Sequence, residues 1–159
     1  MEHSVLFVCF GNTCRSPMAE AIFKEILCKN KTADKWHVKS CGVSSIQAGA
    51  PPSDHGRVCM ERRGIFYHIQ DHKAKTILKE DFHDFEFILG MDSNNMRVLK
   101  QMCEQVECKA NIQSLGSYDP LSSDGVIHDP YGGPMEDYES VYQQIFRSCE
   151  SFYNKAFSG

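Results

Sequence analysis

The sequence predicts an α/β domain built on a parallel sheet, and three observations predict it. Strand-like and helix-like segments alternate along the chain. Two of the strand-like segments, Val5-Leu6-Phe7-Val8 and residues 85–91, are strongly apolar, the pattern of a strand covered on both faces. The 159 residues are 42% hydrophobic and 24% charged, enough for one core, and no repeat, low-complexity segment or composition shift marks a boundary within 1–159.

Each element follows from its residues. The first strand, Val5-Leu6-Phe7-Val8, runs into Cys9-Phe10-Gly11. A helix comes next: Met18, Ile22, Ile26 and Leu27 form an apolar stripe, and Pro17 stands in the first turn, where its missing N–H is not needed. Trp36-His37-Val38-Lys39-Ser40 reads as a short strand. Residues 54–63 form a helix that stops at Gly64, and 85–91 form the second buried strand. Asp92 then caps a helix running through Cys103. Residues 110–115 make a further strand, the Pro/Gly-rich stretch 119–134 is loop, and 137–157 is the closing helix.

The formal net charge is -4 with a pI near 5.9, which offers no basic footprint for nucleic acid or an anionic membrane. No apolar run is long enough to span a bilayer, and Met1-Glu2-His3 lacks the basic region of a secretory signal, so a cytoplasmic location is expected. Eight cysteines stand at 9, 14, 28, 41, 59, 103, 108 and 149. Their spacing predicts no disulfide framework, and without a CxxC pair no structural zinc site is expected. Most should pack as small hydrophobes in a reducing compartment.

Cys9 and Cys14 are exceptions, because they lie in Cys9-Phe10-Gly11-Asn12-Thr13-Cys14-Arg15-Ser16 between the first strand and the first helix. Backbone N–H groups curled around one point, with a helix N-terminus behind them, form a phosphate-binding loop. The same positive field favours a thiolate at Cys9, which then stands at the floor of the cradle as an in-line nucleophile. Arg15 offers a planar fork to two phosphoryl oxygens and to the charge that grows in the transition state. Ser16 can donate to the Cys9 sulfur and make it a better leaving group, and Gly11 allows a backbone shape that a side chain opposes. A nucleotide-binding loop is disfavoured because no GK[ST] element is present.

Val8 to Pro17 together resemble the active-site loop of low-molecular-weight protein tyrosine phosphatases. The likeness continues through Val38 to Ser40, Pro51-Pro52, residues 79–82, Met91-Asp92, residues 116–120, Asp129-Pro130-Tyr131 and Tyr142-Gln143-Gln144. The resemblance implies a single domain with a four-stranded parallel sheet flanked by helices, no metal and no cofactor. It implies phosphorylated protein substrates, with inorganic phosphate or vanadate as competing ligands. Asp129, which alone reads equally as an Asp-Pro turn, matches the general acid. Tyr131 matches an aromatic wall of the pocket, and Phe10 to Cys14 with Ser16 match the phosphate cradle. Asn12, Ser40 and His72 match a polar network that holds the loop, provided residues 66–71 are an insertion; His68 is the competing histidine. Asp92 matches a residue beside the arginine and can cap its helix as well. Cys14 resembles the family's backup thiol for Cys9, and His128 is read as surface.

Three departures bear on substrate. Thr13 replaces a usual aliphatic residue, Gly132 replaces a second tyrosine, and Ile46 stands where an aromatic wall is common. An aryl group prefers apolar walls, whereas the guanidinium of phosphoarginine prefers hydroxyl and carboxylate neighbours. The pattern is similar to the protein arginine phosphatase branch, which favours phosphoarginine over the phosphotyrosine of the wider family. Two rival classes remain. Thiol-linked arsenate reductases share the fold and loop but need two relay cysteines, for which Cys103 and Cys108 are the available pair. A phosphoresidue-binding module without turnover is expected to have lost Cys9, Arg15 or Asp129, and all three are present.

Overall fold

The computed structural model describes residues 2–158; Met1 and Gly159 lie outside them. Four strands, β1 (His3–Cys9), β2 (Trp36–Gly42), β3 (Phe87–Gly90) and β4 (Asn111–Ser114), form one parallel sheet in the order β2-β1-β3-β4. The helices are α1 (Arg15–Lys29), α2 (Asp54–Arg62), the one-turn α3 (Asp81–Asp84), α4 (Ser93–Gln105) and α5 (Met135–Ser158). Every expected strand and helix is present, within about two residues at most ends, the usual uncertainty of a fraying terminus. The sequence reading missed α3 and short 3-10 turns at Ala33–Lys35, Phe66–Ile69 and Leu115–Tyr118, which are too brief to show a period.

Alternation along β1 divides the core. Val5 and Phe7 face α1 and α5, joining Met18, Ile22, Phe23, Trp36 and Phe152. Leu6 and Val8 face the other side, with Phe82, Phe85, Ile88 and Leu99. Phe23 lies edge-on to Trp36 at 5.0 Å and Phe87 edge-on to Phe152 at 5.1 Å, so aromatic contacts bind both long helices to the sheet. Central β1, buried from Val5 to Cys9, therefore carries Cys9 out of the sheet at a fixed height. Among the described residues no helix is long and apolar enough to cross a membrane.

One expectation about cysteines is corrected. Cys103, late in α4, pairs with Cys108 as a disulfide, with Cα atoms 5.4 Å apart. The chain leaves α4 at Gln105 and folds back towards β4, which closes this short loop. Cys28 is exposed rather than packed. Burial pushes up the thiols of Cys41, Cys59 (to about 11) and Cys149, which makes them inert core groups.

Candidate active site

Where β1 ends, the chain turns through residues 10–14 and enters α1. Cys14 caps α1 without a side-chain hydrogen bond, so its side chain leaves the N–H groups of the first turn available to an anion. Asn12 takes a left-handed conformation, φ 59°, the strained residue of the loop. The role expected of Gly11 changes accordingly, because its φ is not positive. A Cβ at Gly11 falls 2.5 Å from Gln47 Oε1, so the glycine makes room for that side chain.

The strain at Asn12 is held by four hydrogen bonds. Its Nδ2 donates to Ser16 Oγ at 2.8 Å and to Ser40 Oγ at 3.1 Å, and its Oδ1 accepts from the Lys75 N–H at 3.0 Å. His72 Nε2 lies 2.8 Å from the Asn12 carbonyl, while His68 pairs with Glu25 instead. His72 is therefore the histidine of this network. Ser40 in turn donates to the buried Glu20 at 2.8 Å.

Ser16 Oγ stands 2.9 Å from Cys9 Sγ and 3.3 Å from the Cys41 carbonyl. Because the Asn12 amide donates to this oxygen, the hydroxyl hydrogen is free to point at the closer sulfur. The Asn12 N–H also points at Cys9 Sγ, 3.3 Å away. Two donors thus converge on one sulfur.

Arg15 is 1% exposed. Its Nη1 donates to Asp92 Oδ2 at 2.7 Å and to the Ile127 carbonyl at 2.8 Å, and Asp129 Oδ2 lies 3.6 Å from Nη2. Asp92 also caps α4 in a reciprocal box with Asn95, so both readings of that residue hold. Asp129 Oδ1 accepts from the Tyr131 N–H at 3.1 Å, an Asx turn that aims the other carboxylate oxygen at the arginine. The buried Arg15 Nε has no hydrogen-bond partner among the described residues. An unpaired guanidinium N–H on a residue that lines a cavity suits an anion.

That cavity, about 340 Å³, is lined by Cys9, Phe10, Gly11, Thr13, Cys14, Arg15, Ile46, Gln47, Asp129 and Tyr131. All the catalytic and pocket residues expected from the sequence line it, except Asn12 and Ser16, which support it from behind. Ile46 and Tyr131 are 81% and 67% exposed, so they form a rim rather than deep walls. His128 is exposed and near Asp124, as expected of a surface residue. Gln47, Glu20, Tyr138 and the Ile127 carbonyl were not found from the sequence. Gln47 had one signal, its place beside Ile46 in the loop; the carbonyl had none. Thr13 Oγ1 donates to Gln47 Oε1 at 2.7 Å. Cys14 Sγ lies 3.8 Å from the Tyr138 hydroxyl, whose pKa burial and then the Cys14 sulfur push up, leaving a neutral donor.

A family model described as low molecular weight phosphotyrosine protein phosphatase matches residues 4–157. The mouse protein of that description is 47% identical over 97% of this chain and 96% of its own. The crystal structure of DARP, a drosophila arginine phosphatase, superposes with a TM-score of 0.89 at 38% identity, covering 96% of each chain. A protein tyrosine phosphatase from Entamoeba histolytica, with Hepes in its active site, gives a TM-score of 0.89 at 28% identity over 99% of this chain and 98% of that one.

Proposed function

Since the chain belongs to the low molecular weight phosphotyrosine protein phosphatase family, and is thus a cysteine-dependent protein phosphatase, we propose that Cys9 is its nucleophile, Asp129 its general acid and base, and phosphoarginine its favoured substrate residue. The observation that carries the mechanism is a buried arginine, Arg15, with a partnerless Nε, lining one pocket together with Cys9 and Asp129. In the first step the Cys9 thiolate attacks phosphorus in line, and the bond to the leaving oxygen or nitrogen breaks as Asp129 gives that atom its proton. Arg15 and the loop amides hold the equatorial oxygens throughout. In the second step Asp129 takes a proton from water, which attacks phosphorus. The Cys9 sulfur then departs as a thiolate stabilised by Ser16, and inorganic phosphate is released. Inorganic phosphate and vanadate should compete for the same pocket.

The preference for phosphoarginine is supported by the rim. Thr13, which lines the pocket, spends its hydrogen on Gln47 and is left an acceptor, and Asp129 adds a carboxylate to the same lining. A guanidinium only donates. The likeness to the drosophila arginine phosphatase supports the same reading.

A relay to Cys103 and Cys108, as an arsenate reductase requires, is opposed by topology. α4 starts beside the site at Ser93, and ten residues of helix carry Cys103 roughly 15 Å towards the far end of the sheet. Cys14 is the better redox partner for Cys9: peroxide would oxidise the Cys9 thiolate to a sulfenic acid, and the Cys14 thiol would displace water to form a disulfide.

The deciding experiment compares phosphoarginine and phosphotyrosine peptides with the wild-type chain and Cys9→Ser. Turnover of both peptides lost in Cys9→Ser, with inorganic phosphate still bound, supports the mechanism. A kcat/KM that favours phosphoarginine supports the specificity, and the reverse order overturns it.

A further inference from the structure

A second pocket, about 310 Å³, shares no lining residue with the Cys9 pocket, and nothing in the reaction uses it. Its rim carries Lys24, Lys39, Lys73 and Lys75, and one wall is the 3-10 turn Phe66–Ile69 with the residues up to Asp71. That wall is the stretch read as an insertion ahead of His72. In a chain of net charge -4 this concentration of cations is unusual. Lys24 is already paired with Glu20 at 2.7 Å, and His68 with Glu25 at 2.9 Å. Among the described residues no carboxylate lies within ion-pair distance of Lys39, Lys73 or Lys75, and Asp71 is the one unpaired acid on the rim. The lysines act at short range: burial, then Lys39, Lys24 and Lys75, hold the nearby His37 imidazole low.

The back of this pocket is the support of the catalytic loop. Ser40, His72 and the Lys75 N–H each line the pocket and each hydrogen-bond Asn12. A ligand seated there is one side chain away from the strained residue that shapes the phosphate cradle.

We propose that the Lys39–Lys73–Lys75 pocket binds a phosphate-bearing anion, and that its occupancy is transmitted through residues 72–75 to Asn12. Three ammonium groups around a concave, partly enclosed site suit a polyanion with several phosphoryl oxygens. The anion comes either free from solution, as a pyrophosphate-like species, or as a second phosphorylated residue of a substrate already engaged at Cys9. Binding itself does not depend on the reaction assigned to Cys9, so the two readings fail separately.

The test has two arms. In the first, vanadate blocks the Cys9 pocket and inorganic pyrophosphate is titrated while amide NMR signals are followed. Saturable shifts at residues 39 and 72–75, moving together with the Asn12 side-chain amide, are expected. The pair Lys39→Glu and Lys73→Glu should weaken this binding at least about tenfold, with turnover of a small aryl phosphate unchanged. In the second arm, singly and doubly phosphorylated peptides are compared with wild type and the double variant. A kcat/KM advantage for the doubly phosphorylated peptide that the variant loses identifies the substrate as the source. The proposal is overturned if neither arm shows a response removed by the two substitutions, or if residues 72–75 respond while Asn12 does not.

Discussion

The Thr13 hydroxyl donates to Gln47 Oε1 at 2.7 Å, which leaves its oxygen able only to accept a further hydrogen bond. Thr13→Ile keeps the β-branched shape and removes that acceptor. Activity on phosphoarginine peptides should fall while activity on phosphotyrosine peptides is spared or raised. One hydrogen bond to a charged group is worth about 1.5–3 kcal/mol, a roughly ten- to hundredfold change in preference. Paired kcat/KM values measure it, and an equal response of both substrates removes Thr13 as a selectivity element.

Asp129→Ala should slow substrates with poor leaving groups most. A general acid matters little when the leaving group is already stable as an anion. A series of aryl phosphates of graded leaving-group pKa should show a steeper dependence of kcat/KM in the variant; parallel lines count against the assignment.

Peroxide should inactivate the protein reversibly through a Cys9–Cys14 disulfide. Mass spectrometry of the oxidised chain identifies the pair, and Cys14→Ser should lose recovery by thiols. Recovery at the wild-type level in that variant defeats the backup-thiol reading.

Asn12→Ala deletes the amide that joins Ser16, Ser40 and Lys75, at a residue buried completely. Leaving such partners unsatisfied costs about 1–3 kcal/mol, which lowers Tm by roughly 3–10 °C in a chain of this size. Thermal denaturation tests this, and inorganic phosphate should rescue part of the loss if the loop still closes on it.

Glu139 ties α5 to Arg63 at 2.6 Å and Arg62 at 2.9 Å. The Arg63 hydrogen bond, outweighing burial, holds the Glu139 carboxyl below its ordinary value of 4.5. A depressed carboxylate stabilises the fold above that value and loses its contribution as pH falls through the lowered one. Glu139→Gln should therefore lower Tm at neutral pH, with the difference shrinking below about pH 4.5. A constant difference across that range points to packing instead.

Much of this molecule could be read from its residues, and the exceptions share a cause. Val5 to Val8 and the run to Met91 are strands because apolar side chains on both faces leave no other placement. The Cys9-to-Ser16 loop was legible because each residue type has a distinct chemical duty at that junction. Gln47 escaped notice because its contact with Thr13 depends on how the 43–52 loop folds, which no local pattern dictates. The Ile127 carbonyl that fixes Arg15 has no side-chain signature. Gly11 was credited with backbone freedom when Asn12 takes the left-handed conformation and Gly11 accommodates Gln47. The Cys103–Cys108 pairing is not legible because the spacing of the eight cysteines as a set suggests no framework, and two thiols five residues apart meet only where the chain turns back after α4.

The central position of β1 has a consequence for synthesis. The ribosome makes Cys9 and Arg15 early, but the residues that hold Arg15 come much later, 77 positions on at Asp92 and 112 on at Ile127. The strand that carries Cys9 waits for β2 on one side and for β3 on the other. A chain released early therefore bears Cys9 as an ordinary thiol, in a loop that lacks the support Ser40, His72 and Lys75 give to Asn12.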